Sequence, residues 1–108
     1  MKNQKLPKQF TDFVDHYPEI AEAYNRLGTA VHKAGPLDAK TRALVKIAIS
    51  GSARMEGGFH AHVRKARAIG ISWEEIIHVA LLTMPTVGFP NCMALLSWID
   101  DVRGKEEG

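Results

Sequence analysis

Apolar residues recur at helical spacing along most of the chain, and no alternating pattern typical of a strand reaches a useful length. The first helix is predicted at 10–14. The second begins at Pro18, which suits a first helical position because it lacks an N–H. This helix reaches about Ala34 and ends at a Gly-Pro pair. Asp38 is expected to cap the third helix, whose wide apolar arc indicates a central position. The pattern therefore predicts an all-α fold.

Signals for helix ends are clearest in the middle of the chain. The fourth helix is predicted at 59–69, with Gly70 as the residue that ends it. Ser72 and Glu75 have the spacing of a capping box, in which each side chain accepts a hydrogen bond from the other residue's backbone N–H. A fifth helix is therefore expected to begin directly after Ser72.

Two helices complete the pattern. The fifth is apolar nearly all round over 76–84, after the capping box, which predicts that protein surrounds it. The last is predicted at 89–102. We expect about six helices in one compact domain, and the boundaries place a flexible lead-in at 1–9, the domain at 10–102 and a charged tail at 103–108.

The length of the chain bears on its assembly. The 108 residues predict a single domain. A domain this short buries a limited fraction of its surface, and the third and fifth predicted helices carry more apolar surface than a lone bundle can cover. We therefore expect the protein to form a homo-oligomer.

Composition argues against several classes of protein. The chain is 45% hydrophobic and 24% charged, as is ordinary for a globular protein. A net charge of +2 gives no basis for nucleic-acid binding, and no apolar run approaches the roughly 18 residues of a membrane span. The N-terminal residues do not resemble a signal peptide. One cysteine, Cys92, cannot form an internal disulfide, so a cytoplasmic location is expected.

The fourth helix carries the main candidate for chemistry. His62 falls on one helical stripe with four apolar residues, Phe59, Val63, Ala66 and Ile69. Side chains on the opposite side are expected to face solvent, namely His60, Arg64 and Arg67. His62 is either a core histidine bonded to a backbone carbonyl or a general acid or base in a pocket, because imidazole titrates near neutral pH.

Metal and thiol chemistry have little support in the pattern. His60 and His62 point about 200° apart on a helix, so one ion cannot bind both from one face. There is no pair of cysteines to complete a zinc site, and we expect neither metal nor cofactor. Cys92 lies in the first turn of the last helix, where a thiol can be reactive but is more often buried and inert.

Other polar residues are weaker candidates. His78 lies in the middle of the apolar fifth helix and is either buried and bonded or faces an interior site. A basic group could hold a carboxylate or form a solvated face; its members are Arg54, Arg64, Lys65 and Arg67. The segment 86–91, which contains Phe89, joins two helices and is of a kind that lines pockets between them.

Three separated motifs carry a family resemblance. They are Leu37-Asp38-x-Lys40-Thr41-Arg42-x-Leu44-Val45-x-Ile47-Ala48-Ile49, then His62-x-x-x-Ala66-x-x-x-Gly70-x-Ser72-x-Glu74-Glu75-Ile76, then Val87-Gly88-Phe89-Pro90. In this order, across about 18–102, they resemble the carboxymuconolactone decarboxylase family, which shares its fold with alkylhydroperoxidase D. The resemblance implies an all-helical homo-oligomer, often a trimer or hexamer, with a site between helices near His62.

The redox branch of that family has four site residues, and this chain matches one of them. The resemblance places its Cys-x-x-Cys pair at Met55 and Gly58, and its glutamate at Ala43. Neither methionine nor glycine can form a thiolate, so dithiol reduction of peroxide at this site is excluded.

The decarboxylase branch has no cysteine pair, and in it a lactone acid loses carbon dioxide. The resemblance then makes His62 the acid or base, with His78 or His60 assisting and Arg54 or Arg64 holding a carboxylate. Three functions remain open. The chain is a cofactor-free lyase acting on a small organic acid, a non-catalytic family member that binds a small molecule or partner, or a peroxidase that must use Cys92 alone.

Overall fold

Within residues 8–107, which the computed structural model describes, every regular element is a helix. The helices are α1 (Lys8–His16), α2 (Pro18–Lys33), α3 (Ala39–Ser52), α4 (Glu56–Ala68), α5 (Trp73–Leu82), α6 (Met84–Val87) and α7 (Phe89–Glu107). Because α6 is a single turn of four residues, six longer helices confirm the predicted all-α class. None of the described helices is long and apolar enough to cross a membrane.

The chain divides into two units, with the boundary between Pro36 and Leu37. In the first unit, α1 packs against α2, and the rings of Phe13 and Tyr17 lie 5.5 Å apart. An apolar stripe along α2 stays more than half exposed; it consists of Ile20, Tyr24, Leu27 and Val31. Most of the expected lead-in lies at 1–7, outside the described residues, and α1 already begins at Lys8.

The core of the second unit is built by α3, α4, α5 and α7, with α4 in contact with both α3 and α7. Its buried apolar side chains are Ile47, Phe59, Val63, Ala66, Ile71, Ile76, Ala80, Leu95, Ile99 and Val102. The helices approach closely at Gly51, where an added Cβ would lie 2.8 Å from a methyl group of Leu95.

Local hydrogen bonds confirm three of the predicted helix ends. Asp38 accepts a 2.8 Å hydrogen bond from the Thr41 N–H. Ser72 and Glu75 form both bonds of the capping box. At the end of α4, Gly70 has φ +91° and its N–H donates to the Arg67 carbonyl, while the Ile71 N–H donates to the Ala66 carbonyl. These two bonds form a Schellman motif, which needs the left-handed backbone that glycine adopts without strain.

Three helices are longer than predicted, and α1 extends beyond the predicted 10–14 at both ends. α4 begins at Glu56 rather than Phe59, because Gly57 and Gly58 continue the helix instead of loosening the chain. α7 extends to Glu107 rather than ending near Val102. Arg67 on α4 donates to the Glu106 carboxylate at 2.7 Å, so contact with another helix holds most of the expected charged tail in helical form.

The fifth helix is not surrounded within the described chain, contrary to the prediction. Leu81 is 43% exposed and Leu82 is 58% exposed. On α3, Val45 is 41% exposed and Ile49 is 61% exposed. The apolar excess of these two helices therefore lies partly on the surface of the single chain, as a homo-oligomer would require. The oligomer itself stays a prediction.

Candidate functional site

His62 lies at the edge of the buried stripe of α4 rather than in its centre. Phe59, Val63 and Ala66 are fully buried, whereas His62 is half-buried. At about 100° per residue, His62 lies roughly 60° to one side of this stripe. Ile69, predicted on the stripe, is 56% exposed, because it is the C-cap residue where α4 ends.

The surroundings of His62 favour its neutral form. Partial burial lowers the pKa of the imidazole below its usual 6.5, and the positive charges of Lys65 and Lys46 lower it further. Within the part of the chain that the structure describes, neither ring nitrogen forms a hydrogen bond. The bond to a backbone carbonyl, one of the two alternatives for His62, is therefore not present among these residues. At pH 7 the ring can accept a proton.

A group of cations lies on the α3 side of α4, and we call Arg42, Lys46 and Lys65 the cationic edge. Burial lowers the pKa of Lys46, and the nearby charges of Lys65 and Arg42 lower it as well. The charges of Lys65 and Lys46 act on the half-buried His62, and two charges of one sign at this position suit an anionic group of a ligand. Sequence reasoning missed Lys46. α3 and α4 pack together, which brings the charge of Lys46 close enough to act on the His62 ring.

The structure brings together two of the positions that correspond to the redox site. A Cβ placed on Gly58 would lie 3.7 Å from the Met55 Cβ and 4.0 Å from the Ser50 Cβ. Gly58 precedes His62 by one helical turn and Met55 precedes it by two. Met55, Gly58 and His62 therefore lie on one side of α4. Ala43 is half-buried and packs against the core. Neither Met55 nor Gly58 carries a sulfhydryl group.

His60 lies on the other flank of α4. Contrary to the prediction, it does not face solvent. Its Nε2 lies 3.2 Å from the Asp101 carboxylate on α7, and its ring is 6.5 Å from that of Trp98. α7 covers this flank, which the pattern of α4 alone could not show. His60 and His62 lie on opposite flanks of the buried stripe, so His60 is not placed to assist His62.

The predicted basic group does not form a single site. Arg54 donates to Asn91 at 3.1 Å and lies 5.5 Å over the Trp98 ring. Arg67, at the far end of α4, binds Glu106 and lies 4.5 Å over the ring of Trp73. Arg64 is half-buried between these ends. Of the four residues, Lys65 is the one whose charge acts on His62.

A separate open cavity of about 520 Å³ lies among α3, α5 and α6. Its lining is mostly apolar and consists of Leu44, Val45, Ala48, Ser52, Glu75, His78, Val79, Leu82, Thr83, Thr86 and Val87. His78 is exposed on its wall rather than buried. Phe89 is 57% exposed and does not line this cavity.

The cavity and His62 lie on different faces of α3. Leu44, Ala48 and Ser52 line the cavity. Lys46 and Ser50, which lie towards α4, are about 120–160° around the helix from them. The structure therefore separates His78 from His62, and the sequence prediction that His78 assists His62 is not supported by this arrangement.

Cys92 is fully buried in the first turn of α7, as the structural interpretation predicts. Its backbone N–H donates to the Gly88 carbonyl. Oxidation of a thiol needs access for the peroxide, so the burial of this sulfur gives no support to a peroxidase that relies on Cys92.

Comparison with known proteins is consistent with this fold. Residues 18–101 match the model of the carboxymuconolactone decarboxylase family. An uncharacterized protein from Haemophilus influenzae is 36% identical over 61 residues, which are 56% of this chain and 54% of that protein. The chain thus matches about half the length of this relative.

A solved structure extends the likeness to most of the chain. The crystal structure of the apo form of a carboxymuconolactone decarboxylase family protein from Legionella pneumophila has a TM-score of 0.78 and 22% sequence identity. The match covers 89% of this chain and 86% of that one. At this identity the likeness shows a shared fold.

Proposed function

The chain belongs to the carboxymuconolactone decarboxylase family, and we propose that it is a cofactor-free lyase for a small organic acid or lactone, with His62 as acid and base. One observation carries this proposal. His62 is half-buried beside Lys46 and Lys65, and both charges act on its ring. This combination supports the proposal, because a neutral imidazole can take up a proton and a neighbouring cation can bind a carboxylate.

The chemistry needs a cation and a proton. When a carboxylate leaves as carbon dioxide, its C–C bond breaks and the electron pair stays on the remaining carbon, where a conjugated lactone carbonyl can delocalise it. That carbon must then receive a proton. A carboxylate at the cationic edge would offset the charges of Lys46 and Lys65, so that His62 takes up a proton as the ligand binds and donates it to the carbon.

A non-catalytic binding role is the second candidate, and the cavity among α3, α5 and α6 favours it. An apolar lining with a few polar groups, here Glu75, His78 and Thr83, is typical of a small-molecule site. In this role the ligand would occupy the cavity rather than contact His62.

We also propose that the protein works as a homo-oligomer, a trimer or a hexamer. The exposed apolar side chains of α3 and α5 support it, because contact with a second copy would remove them from water. A cytoplasmic location is part of the same proposal, since the single buried cysteine is suited to a reducing compartment.

Turnover of a panel of small lactone acids, with carboxymuconolactone first, tests the lyase. We expect carbon dioxide release with a stoichiometry of one per substrate. His62→Gln should lower kcat by about 100-fold or more, the usual loss for a general acid or base. Lys65→Gln should mainly raise KM. His16→Gln, on α1, is the matched histidine control and should leave both constants unchanged.

The same panel separates the two candidates. Filling the cavity with Ala48→Trp should abolish ligand-induced thermal stabilisation if the protein is a binding module, and His62→Gln should leave that stabilisation intact. Turnover that survives His62→Gln, or a panel with no turnover at all, would contradict the lyase.

A further inference from the structure

A second group of polar side chains lies on the α7 side of α4, away from His62 and from the cavity. Glu56 and His60 are one helical turn apart on α4, and Asp101 faces them from α7. One potential ligand atom from each of the three lies within 4.8 Å of the other two. We propose that Glu56, His60 and Asp101 bind a divalent transition-metal ion of the zinc or manganese type.

The distances suit such an ion. The His60 Nε2 lies 3.2 Å from the Asp101 Oδ2 and 4.0 Å from the Glu56 Oε2. An ion bound at about 2.0–2.2 Å to each of two ligands holds them at most about 4.4 Å apart. Both distances to His60 fall within this limit. The two carboxylates are exposed, so they can turn by the few tenths of an ångström that the remaining pair needs.

The charges also favour a cation. An imidazole nitrogen carries at most one proton, yet two carboxylates converge on the Nε2 of His60. One of them therefore has no proton to accept at that point, and a dication would serve both. The set of one nitrogen and two oxygens suits zinc or manganese better than calcium or magnesium, which prefer oxygen ligands alone.

The histidine is held in place by packing. Its side chain is 22% exposed and lies edge-on to Trp98, which in turn packs edge-on to the buried Phe59 at 5.7 Å. The Arg54 guanidinium, which lies over the Trp98 ring, donates to Asn91. A fixed imidazole lowers the cost of ordering the site when an ion binds.

The sequence alone argued against a metal, because His60 and His62 cannot share one. The structure brings the missing ligand from α7. An ion here would bridge α4 and α7, and its remaining positions would be open to water. The role that follows is stabilisation of the contact between these helices, because a ligand that binds the folded chain raises its stability in proportion to the logarithm of its concentration.

Thermal unfolding of the chelator-treated full chain with added zinc chloride or manganese chloride tests the site. We expect Tm to rise with metal concentration, and calorimetric titration to give one ion per chain. His60→Gln and Asp101→Asn should each reduce the affinity by at least tenfold. The matched controls are His16→Gln and Asp100→Asn, which should bind as the parent chain does.

The two variants guard against a folding artefact. Far-UV circular dichroism will show whether each is helical, and if His60→Gln does not fold, Asp101→Asn decides the result. An unchanged Tm and no heat of binding for the parent chain would overturn the proposal. Equal binding by the parent chain and the folded variants would overturn it as well.

Discussion

Gly51 shows how closely single atoms decide the packing of the second unit. It lies buried in α3, and an added Cβ would be 2.8 and 3.0 Å from the two methyl groups of Leu95 and 3.0 Å from the ring of Phe59. Both neighbours are fully buried, so neither can withdraw without disturbing the core. Here the absence of a side chain lets α3 and α7 approach.

We expect Gly51→Ala to destabilise the protein. Overpacking a core costs about 1–3 kcal/mol, and the better helix propensity of alanine returns about 1 kcal/mol, so the net loss should be up to about 2 kcal/mol. Urea unfolding measures it. The control is Gly104→Ala on α7, where an added Cβ would have no described neighbouring atom within 4 Å. It should be neutral or stabilising, and a stabilising Gly51→Ala would contradict the packing described above.

At this scale the sequence predicts the three buried residues of α4, but it wrongly adds Ile69 to them and does not show what lies beside them. The spacing of Phe59, Val63 and Ala66 indicates the stripe. The surroundings of His62 and His60 depend on Lys46 and Asp101, which come from other helices. Periodicity within one helix contains no information about the side chains of a neighbouring helix. It therefore could not predict the surroundings of His62 and His60 on the two flanks of α4.

At the start of α5, a charged side chain, Glu75, contributes to the stability of the helix. The Lys40 ammonium, together with the backbone and hydroxyl of Ser72, stabilises the Glu75 carboxylate and lowers its pKa from 4.5 to about 2. Glu75 thus completes the capping box and also forms an ion pair with Lys40 near the start of α3.

This lowered pKa predicts how stability changes with pH. Since the pKa is lower in the folded chain than in the unfolded chain, the stabilisation is fully present above about pH 4.5 and is lost as pH falls towards 2. Glu75→Gln keeps the capping geometry without the charge. We expect it to reduce the fall in Tm between pH 5 and pH 2.5. An identical fall in both proteins would show that Glu75 makes no such contribution.

Helix ends divide into those set locally and those set by contacts between helices. The caps at Asp38, Ser72 and Gly70 use residues within one turn, and the sequence predicts all three. The end of α7 depends on the pairing of Arg67 with Glu106, 39 residues apart, so local rules end this helix too early.

The whole molecule exposes an apolar surface that suits self-association. Leu82 is 58% exposed and Ile49 is 61% exposed, on two helices that pack together. Burial of one such leucine side chain stabilises an assembly by about 1.5–3 kcal/mol for each copy. The sequence predicts more apolar surface on α3 and α5 than a single chain can cover. The exposed side chains of these two helices account for this excess.

We expect Leu82→Glu to dissociate the protein, because a charge would have to be buried at the contact. Light scattering coupled to size exclusion should give a trimer or a hexamer for the parent chain and a smaller mass for the variant. Ser97→Glu, an exposed position on α7, is the control. A parent chain with a mass near 11.9 kDa would contradict the oligomer.

The proposed lyase depends on His62 as a neutral imidazole that responds to a bound anion. NMR titration of the His62 ring protons, assigned with His62→Gln, measures this directly. We expect a pKa below 6.5 in the free protein, a higher value in Lys65→Gln, and a rise when a small organic acid saturates the site. A pKa at or above 6.5 that changes with neither the lysine nor the acid would contradict the proposed role of His62.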